Sequence, residues 1–383
     1  MPLDGGWFSA QLEQAVVAAL VTDDRRQHPP LRALVLAGSM ARRESGWLLG
    51  TGGAILLGDA ELLCVLQDGD RWPQPAQRMA WHERLQARLR REGLQASVSL
   101  TPVRARYLRR LPPHLFGYEL RTTGRVLWGD PHVLDETPQF QISDLPREDA
   151  WRLLANRLME LVPSAVAAAP PQTPQQVYPW VKLYLDMATS YLLFAGAYAP
   201  SYRARSQQMR VQFDAQGGDP LGCITSALVA QVEACTAWKL NPHAGITTLF
   251  RSGFRAHALA AARQLWLWEL QQLTGSPAAD ASVLWRRWLH QHSLAGRLRG
   301  WASAVRHDGL PSPRYWPRWL LLAAHASPRH CVYEAAWALL WRDQRDLPPC
   351  AAARLPLPQP PGTAGMASAV LANYQRLVAQ TRA

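Results

Sequence analysis

The sequence predicts an α+β fold: a small mixed sheet with helices, followed by a larger all-α domain. Short apolar or alternating segments interleave with helical segments in residues 1–145, which is typical of a small α/β or α+β domain. Residues 146–346 keep helical periodicity and lack strand patterns. Hydrophobic residues make up 48% of the 383-residue chain, enough for a substantial core.

The elements of the first domain follow from the periodicity and from the residues that interrupt it. Residues 46–58 are interrupted by glycines and predict a loop with one apolar hairpin arm at 54–57. The other predicted elements, in chain order, are a helix at 9–21, a strand at 31–37, a helix starting at Gly38, a strand at 59–66, a helix at 73–91, a strand at 95–103, a helical region at 104–122 and a short strand in GRVLWGDP.

The rest of the chain is predicted to be helical. A polar linker at 135–146 precedes helical segments that include REDAWRLLANRLMELV and the run at 255–273. Tryptophans become denser toward the C-terminus, where we expect them to pack helices together. Residues 347–365 are rich in Pro and Ala and predict a linker before a last short helix. The predicted domains are therefore 1–145, 146–346 and 347–383.

Charge and composition limit the function classes. The formal charge of +12 favours an anionic ligand. However, the only lysines are Lys182 and Lys239, and such an arginine bias is typical of a GC-rich coding sequence, so nucleic acid is the less favoured partner. No apolar segment is long enough for a membrane span, and no signal peptide is recognised. Five scattered cysteines without a CxxC pair favour a cytoplasmic protein.

Two motifs carry the candidate chemistry. The apolar run 34–37 ends in Gly38-Ser39, where a strand is expected to give way to a helix, and backbone N–H groups at a helix N-terminus attract anions. Asp59 and Glu61 open the next predicted strand. Alternate residues of a strand face the same way, about 6.6 Å apart. Two carboxylates beside an anion-binding turn suit Mg²⁺ that bridges phosphate oxygens.

These motifs resemble the nucleotidyltransferase superfamily. GSMARRE (38–44) and GDAELLCV (58–65) are similar to its G-S and D-x-[DE] motifs, and GYELRTTGRVLWGDP (117–131) resembles a segment of its small bacterial members. The resemblance covers residues 1–145, and the helical remainder is similar in architecture to the partner domain of aminoglycoside-type members. It implies Asp59 and Glu61 as catalytic residues and as ligands of Mg²⁺ or Mn²⁺, with Gly38 and Ser39 binding the nucleotide.

Three departures from the family pattern leave alternatives open. The glycine expected after A-R is Arg43, and the segment between the two motifs is longer than usual. The strand expected to carry a third carboxylate has Ser97 and Ser99 instead. Either another residue, such as Glu119 or Asp186, substitutes, or the enzyme works with two carboxylates, or the fold binds nucleotide without catalysis.

Two basic residues are further candidates for nucleotide binding. Arg42 is expected either to contact phosphate or to lie on the helix surface. Lys182 is followed one turn later by Asp186, which predicts either a simple ion pair or an ammonium presented to the triphosphate. The segment YAPSYRAR (198–205) adds three more candidates, Tyr202, Arg203 and Arg205.

The sequence thus predicts a Mg²⁺-dependent enzyme that transfers a nucleoside monophosphate from an NTP, such as ATP, to a hydroxyl of an unidentified small molecule or glycan. The alternative is a catalytically impaired nucleotide- or nucleic-acid-binding module of the same fold.

Overall fold

The computed structural model describes residues 5–22, 31–50, 52–167, 171–215, 217–218, 223–242, 253–278, 280–341, 355–357 and 363–378. Its contacts group the chain into two compact units. The first consists of Met1–Asp149, Leu192–Gly217 and Ser226–Arg251. The second consists of Ala150–Tyr191, Gly218–Thr225 and Ser252–Ala383. The predicted boundary at residues 145/146 therefore lies close to the first break, but residues 192–217 and 226–251 group with the sheet instead of with the other helices.

The first unit contains a five-stranded sheet, and the whole described chain contains fifteen α-helices. The strands are β1 (Leu31–Ala37), β2 (Gly46–Gly50), β3 (Gly53–Leu66), β4 (Leu94–Arg104) and β5 (Arg125–Gly129). The helices are α1 (Gly5–Val17), α2 (Gly38–Ala41), α3 (Pro75–Arg91), α4 (Ala105–Arg109), α5 (Leu115–Thr123), α6 (Arg147–Val166), α7 (Pro174–Phe194), α8 (Tyr202–Ala215), α9 (Ser226–Leu240), α10 (Phe254–Thr274), α11 (Ala281–Gln291), α12 (Leu294–Asp308), α13 (Trp316–His325), α14 (Pro328–Leu340) and α15 (Thr363–Leu377).

The long strand β3 organises the sheet. Strands β2 and β1 pair antiparallel with its first and second halves, β5 pairs with the outer edge of β1, and β4 runs parallel to β3 on the other side. Alternation along the strands divides their side chains between two cores. One contains Leu36, Leu62 and residues of α1 and α3, and the other contains Val35, Leu63 and residues of α4 and α5. The sheet is thus covered on both faces.

The α+β class and the helical part agree with the sequence prediction, and β1 has the predicted bounds. The loop predicted for residues 46–58 is wrong, because these residues form a β-hairpin. Gly53, with φ of +118°, takes part in the tight turn, and its Cα lies so near β4 that an added Cβ would be 2.0 Å from the Gly93 carbonyl oxygen. Asp59 consequently lies inside β3 and does not open the strand.

The helix predicted from Gly38 is also shorter than expected. It is a single turn, because Arg43 takes a left-handed conformation with φ of +58° and the chain turns back toward β2. Arg43 is the only non-glycine residue with positive φ in the described part of the chain. A residue with a side chain adopts this conformation at a cost of about 1–2 kcal/mol, and glycine would avoid that cost.

The second unit is helical and rich in buried tryptophan. Trp266 lies 5.1 Å from Trp151 and 3.8 Å from Trp337 between ring centroids, and Trp285 also joins this cluster. The predicted packing role of the C-terminal tryptophans is confirmed for six of the seven, while Trp316 is 47% exposed. These six are Trp285, Trp288, Trp301, Trp319, Trp337 and Trp341.

The C-terminal helix is present as α15, whereas most of the predicted Pro/Ala-rich linker, apart from residues 355–357 and the start of α15, lies outside the described residues. Within the described part, each helix is too short or too polar to cross a membrane.

Candidate functional site

The candidate site lies at a gap along one edge of β3. The β1 pairing ends with Ala37 opposite Glu61, and the β2 pairing begins with Gly46 opposite Leu57. The chain between these two strands, residues 38–45, contains α2, which contacts β3. The short connection between β1 and β2 therefore brings the Gly38-Ser39 turn to the strand that carries both predicted carboxylates.

Gly38 and Glu61 are in close proximity. Gly38 has φ of +67°, and a Cβ built on it would lie 3.3 Å from the Glu61 carboxyl carbon and 3.4 Å from each carboxylate oxygen. The absence of a side chain at Gly38 thus leaves room for this carboxylate and allows a left-handed backbone. The sequence places the G-S motif beside two carboxylates, and in the structure it lies directly next to one of them, Glu61.

Asp59 lies on the same strand face as Glu61. It is exposed, and Glu61 is half-buried. The parallel register places Ser97 beside Asp59 and Ser99 beside Glu61, and both serines are exposed. The strand expected to bring a third carboxylate is therefore in the expected place, next to β3, but it presents two hydroxyls there.

The donor set suits a hard cation bound through few protein ligands. Mg²⁺ is typically held by one or two carboxylates, with phosphate oxygens and water completing an octahedron. Asp59 and Glu61 supply two carboxylates of this kind. The described residues contain no cluster of three or more His, Cys, Asp or Glu suited to hold a metal by themselves. The residues present therefore fit a cation shared with a phosphate ligand better than a cation bound by protein alone.

The Gly38-Ser39 turn offers backbone N–H donors to an anion, whereas the dipole of the short helix α2 contributes little. The N–H groups in the first turn of a helix have no acceptor within that helix, so they are suited to anion binding. Because α2 is one turn long, its macrodipole is small, and the half-buried Ser39 is the neighbouring hydroxyl. The Glu61 carboxylate lies beside Gly38 at the same turn.

Arg42 lies in an interior network. Its Nη1 donates to Glu119 at 2.9 Å, its Nε donates to Glu44 at 3.3 Å, and its guanidinium lies 5.1 Å from the centre of the Tyr202 ring. Burial alone would lower the pKa of Arg42, but the charge of Glu119 and further neighbours raise it above the usual value. The expectation that Arg42 lies on the helix surface is wrong, and its ion pairs favour a structural role over phosphate contact.

Glu44 connects the same motif to α8. The backbone N–H of Tyr202 donates to both Glu44 carboxylate oxygens, at 2.8 and 3.0 Å, and that of Arg203 approaches one of them at 3.5 Å. Because unpaired N–H groups and positive dipole charge occur at a helix N-terminus, a buried carboxylate there is stabilised. Glu44 therefore fixes the start of α8 against the turn that follows Gly38.

Glu119 is likewise engaged by neighbouring side chains of the first unit. It accepts hydrogen bonds from Tyr198 Oη and, at 3.2 Å, from Arg205 Nη2, in addition to Arg42. Burial raises the pKa of the Tyr198 hydroxyl well above its usual value, so this group stays protonated as a donor. These contacts give Glu119, Arg205 and Tyr198 a role in holding the unit together.

The remaining predicted residues belong to the second unit. Lys182 is half-buried on α7, with its Nζ 5.9 Å from the centre of the Tyr178 ring. Asp186 is buried and accepts a hydrogen bond from Arg157 Nε at 2.6 Å. Asp186 is thus neutralised within the helical unit, which argues against its use as the missing third carboxylate.

Sequence reasoning missed Lys239, the second lysine of the chain. It is fully buried on α9, and its Nζ donates to the Leu57 carbonyl oxygen on β3 at 3.4 Å, two residues before Asp59. The backbone at Lys239 also packs against Gly46, where an added Cβ would lie 2.7 Å from the Lys239 carbonyl oxygen. The scarcity of lysine in an arginine-rich chain was the available signal.

Comparison with known proteins adds no assignment: no protein-family profile, curated protein or solved structure matches the chain significantly.

Proposed function

We propose that the chain is a nucleotidyltransferase that transfers a nucleoside monophosphate from an NTP to a hydroxyl of a small molecule or glycan. The observation that carries the proposal is the approach of the Glu61 carboxylate to Gly38, with Asp59 exposed on the same strand face. This arrangement offers a turn for phosphate and two carboxylates for Mg²⁺ or Mn²⁺. A nucleotidyltransferase-type sheet and a cytoplasmic location, where NTPs are abundant, belong to the same proposal.

In this proposal each residue has a distinct role. Gly38 allows the triphosphate to approach the backbone, Ser39 donates to a phosphate oxygen, and Asp59 and Glu61 hold the cation. A bound Mg²⁺ supplies charge neutralisation at the phosphates. Lys182, the other basic residue that the sequence predicted for nucleotide binding, belongs to the second unit and receives no role at this turn. The ion pairs of Arg42 remove the main reason to assign it to a phosphate.

The reaction requires positioning more than covalent chemistry. The acceptor hydroxyl oxygen bonds to the α-phosphorus, the bond from the α-phosphorus to the bridging oxygen breaks, and pyrophosphate leaves with that electron pair. Ser97 and Ser99 cannot act as general bases at neutral pH. The hydroxyl proton therefore passes to solvent or to a phosphate oxygen, and catalysis without a third carboxylate is expected to be slow.

The test is label transfer from α-labelled NTPs, each supplied with Mg²⁺ or Mn²⁺ and a cell extract as the source of acceptors. We expect a new labelled product with the wild-type protein and a loss of about 100-fold or more with Asp59→Ala, because the cation would lose a ligand at the reacting phosphate. Glu83→Ala, which removes an exposed carboxylate on α3, is the matched control and should retain activity. Full activity of Asp59→Ala would overturn the proposal.

The second candidate is a catalytically impaired binding module of the same fold. The register that places Ser97 and Ser99 beside the carboxylates specifically favours it. It predicts NTP binding without label transfer, or binding of nucleic acid with steep salt dependence, consistent with the net charge of +12. A gain of transfer in Ser99→Asp over an inactive wild type would assign the impairment to the missing carboxylate.

A further inference from the structure

A concentration of exposed apolar side chains marks the segment from Leu294 to Leu321 in the second unit. Of the thirteen large apolar side chains that are exposed in the described part of the chain, six lie in this segment. They are Leu294, Leu298, Leu310, Trp316, Leu320 and Leu321, with exposed fractions between 47% and 73%. Apolar clusters of this kind on a surface commonly mark interaction sites.

The segment is a helical hairpin whose inner side is already packed. Trp301 of α12 and Trp319 of α13 are 4.7 Å apart between ring centroids. Trp301 Nε1 donates to the Ala326 carbonyl oxygen at 2.8 Å, so the middle of α12 lies beside the end of α13. Both rings are buried, which means that the exposed leucines are not part of this inner packing.

The outer side of α13 is apolar along its whole length. At about 100° per residue, Trp316, Pro317, Leu320, Leu321 and Ala324 occupy one arc of the helix, and all five are exposed. Trp316 Nε1 donates to the Pro311 carbonyl oxygen at 3.0 Å, which fixes the indole at one end of this arc. This outer face of α13 is therefore an ordered apolar surface.

On α12 a narrower stripe is exposed, and it is flanked by basic residues. Leu294 and Leu298 follow one another at a spacing of four residues, and Arg299 and Arg306 are exposed on the same helix. Arg314, in the connection to α13, is exposed as well. Asp308 is the single acidic residue in the sequence of the hairpin, 293–325. The charge of the surface disfavours self-association through this face and favours an anionic partner.

We propose that this hairpin docks on the surface of a bilayer that contains anionic lipids. An apolar helix face of leucine and tryptophan, with exposed arginines in the same hairpin, has the composition of segments that lie in the membrane interface. The arginines would contact anionic headgroups, and Leu320, Leu321 and Trp316 would enter the boundary between headgroups and acyl chains. The surface does not depend on the proposed nucleotidyl transfer.

The test is co-sedimentation of the full chain with vesicles of phosphatidylcholine alone or mixed with phosphatidylglycerol. Wild type should sediment with the mixed vesicles only, and less at high salt. The double variant Leu320→Glu/Leu321→Glu should bind at least about 100-fold more weakly, because two leucines that would enter the bilayer are lost. Arg299→Gln/Arg306→Gln should weaken binding about 30-fold, because each variant arginine loses its attraction to the anionic headgroups.

The matched control is Leu49→Glu/Val211→Glu, which changes two similarly exposed apolar residues in the first unit and should bind as wild type does. Wild type that stays in the supernatant with mixed vesicles would overturn the proposal, as would equal binding by Leu320→Glu/Leu321→Glu. A concentration-dependent dimer that forms without vesicle binding and is lost in that variant would instead assign the surface to a second copy of the chain.

Discussion

Two pairs of carboxylates within the first unit differ in what neutralises their charge. Glu44 and Glu119 are held by Arg42, by Arg205 and by the N-terminus of α8. Asp59 is exposed, and Glu61 is half-buried beside Gly38, whose backbone can approach a phosphate. Buried charges require such partners, whereas exposed ones can recruit an external cation. The first pair therefore stabilises the packing around the turn, and Asp59 presents an exposed carboxylate in the proposed site.

Glu269 in the second unit shows the consequence of burial without a cation. It is fully buried on α10, its partner in the described residues is the Ser190 hydroxyl, and burial raises the pKa of Glu269 to about 8. Ser190 also donates to the Ala150 carbonyl oxygen at 2.8 Å, so its one proton is already used. A protonated Glu269 that donates to Ser190 gives the Glu269–Ser190 contact a proton that Ser190 does not have to supply.

The largest effect is expected at this residue. Below pH 4.5 the carboxyl is protonated in both states, but between pH 4.5 and about 8 the unfolded chain releases the proton and the folded chain retains it. Each pH unit in this window therefore costs up to about 1.4 kcal/mol of stability. Glu269→Gln should remove this cost, so its advantage over wild type should grow from pH 4.5 to pH 8 in urea unfolding. A difference that is independent of pH would refute a raised pKa at Glu269.

The next largest effect tests the buried pair. Glu44→Ala should lower the free energy of unfolding by about 3 kcal/mol, because it leaves the N-terminus of α8 and a buried guanidinium with one partner fewer. Asp59→Ala and the surface control Glu83→Ala should each stay within about 0.5 kcal/mol of wild type. Urea unfolding followed by circular dichroism measures all three. Equal destabilisation by Glu44→Ala and Asp59→Ala would remove the distinction between the pairs.

The smallest effects concern the two left-handed residues of the turn. Gly38→Ala should cost about 1–2 kcal/mol, because it adds a side chain at positive φ, and the new Cβ would also displace the Glu61 carboxylate. Arg43→Gly, at φ of +58°, should be neutral or stabilising by up to about 1 kcal/mol, for the opposite reason. The midpoint temperature of thermal unfolding should fall in Gly38→Ala and should stay the same or rise in Arg43→Gly. Destabilisation by Arg43→Gly would show that the Arg43 side chain makes stabilising contacts that outweigh the cost of its left-handed backbone.

How much the sequence could predict depended on whether the signal was local. β1 and β4 were predicted from their apolar or alternating pattern, and the G-S motif lies beside Glu61, one of the two predicted carboxylates. The β2–β3 hairpin was missed because glycines at 50, 52 and 53 resemble a loop in sequence, although here they allow a tight turn and close strand contact.

The role of Glu44 could not be predicted, because its partner Tyr202 is 158 residues away in the chain. The same holds for Arg42, whose partner Glu119 follows 77 residues later. Local patterns identified these residues as charged members of a motif. Only the packing of α8 and α5 determines that their charges are used internally.

Calorimetric titration with a non-hydrolysable NTP measures whether Asp59 and Glu61 bind a cation together with a triphosphate. Wild type should bind the NTP in Mg²⁺, EDTA should abolish the binding, and Asp59→Ala should lose it while Glu83→Ala does not. Equal NTP affinity with and without Mg²⁺, or unchanged affinity in Asp59→Ala, would show that the two carboxylates do not form this site.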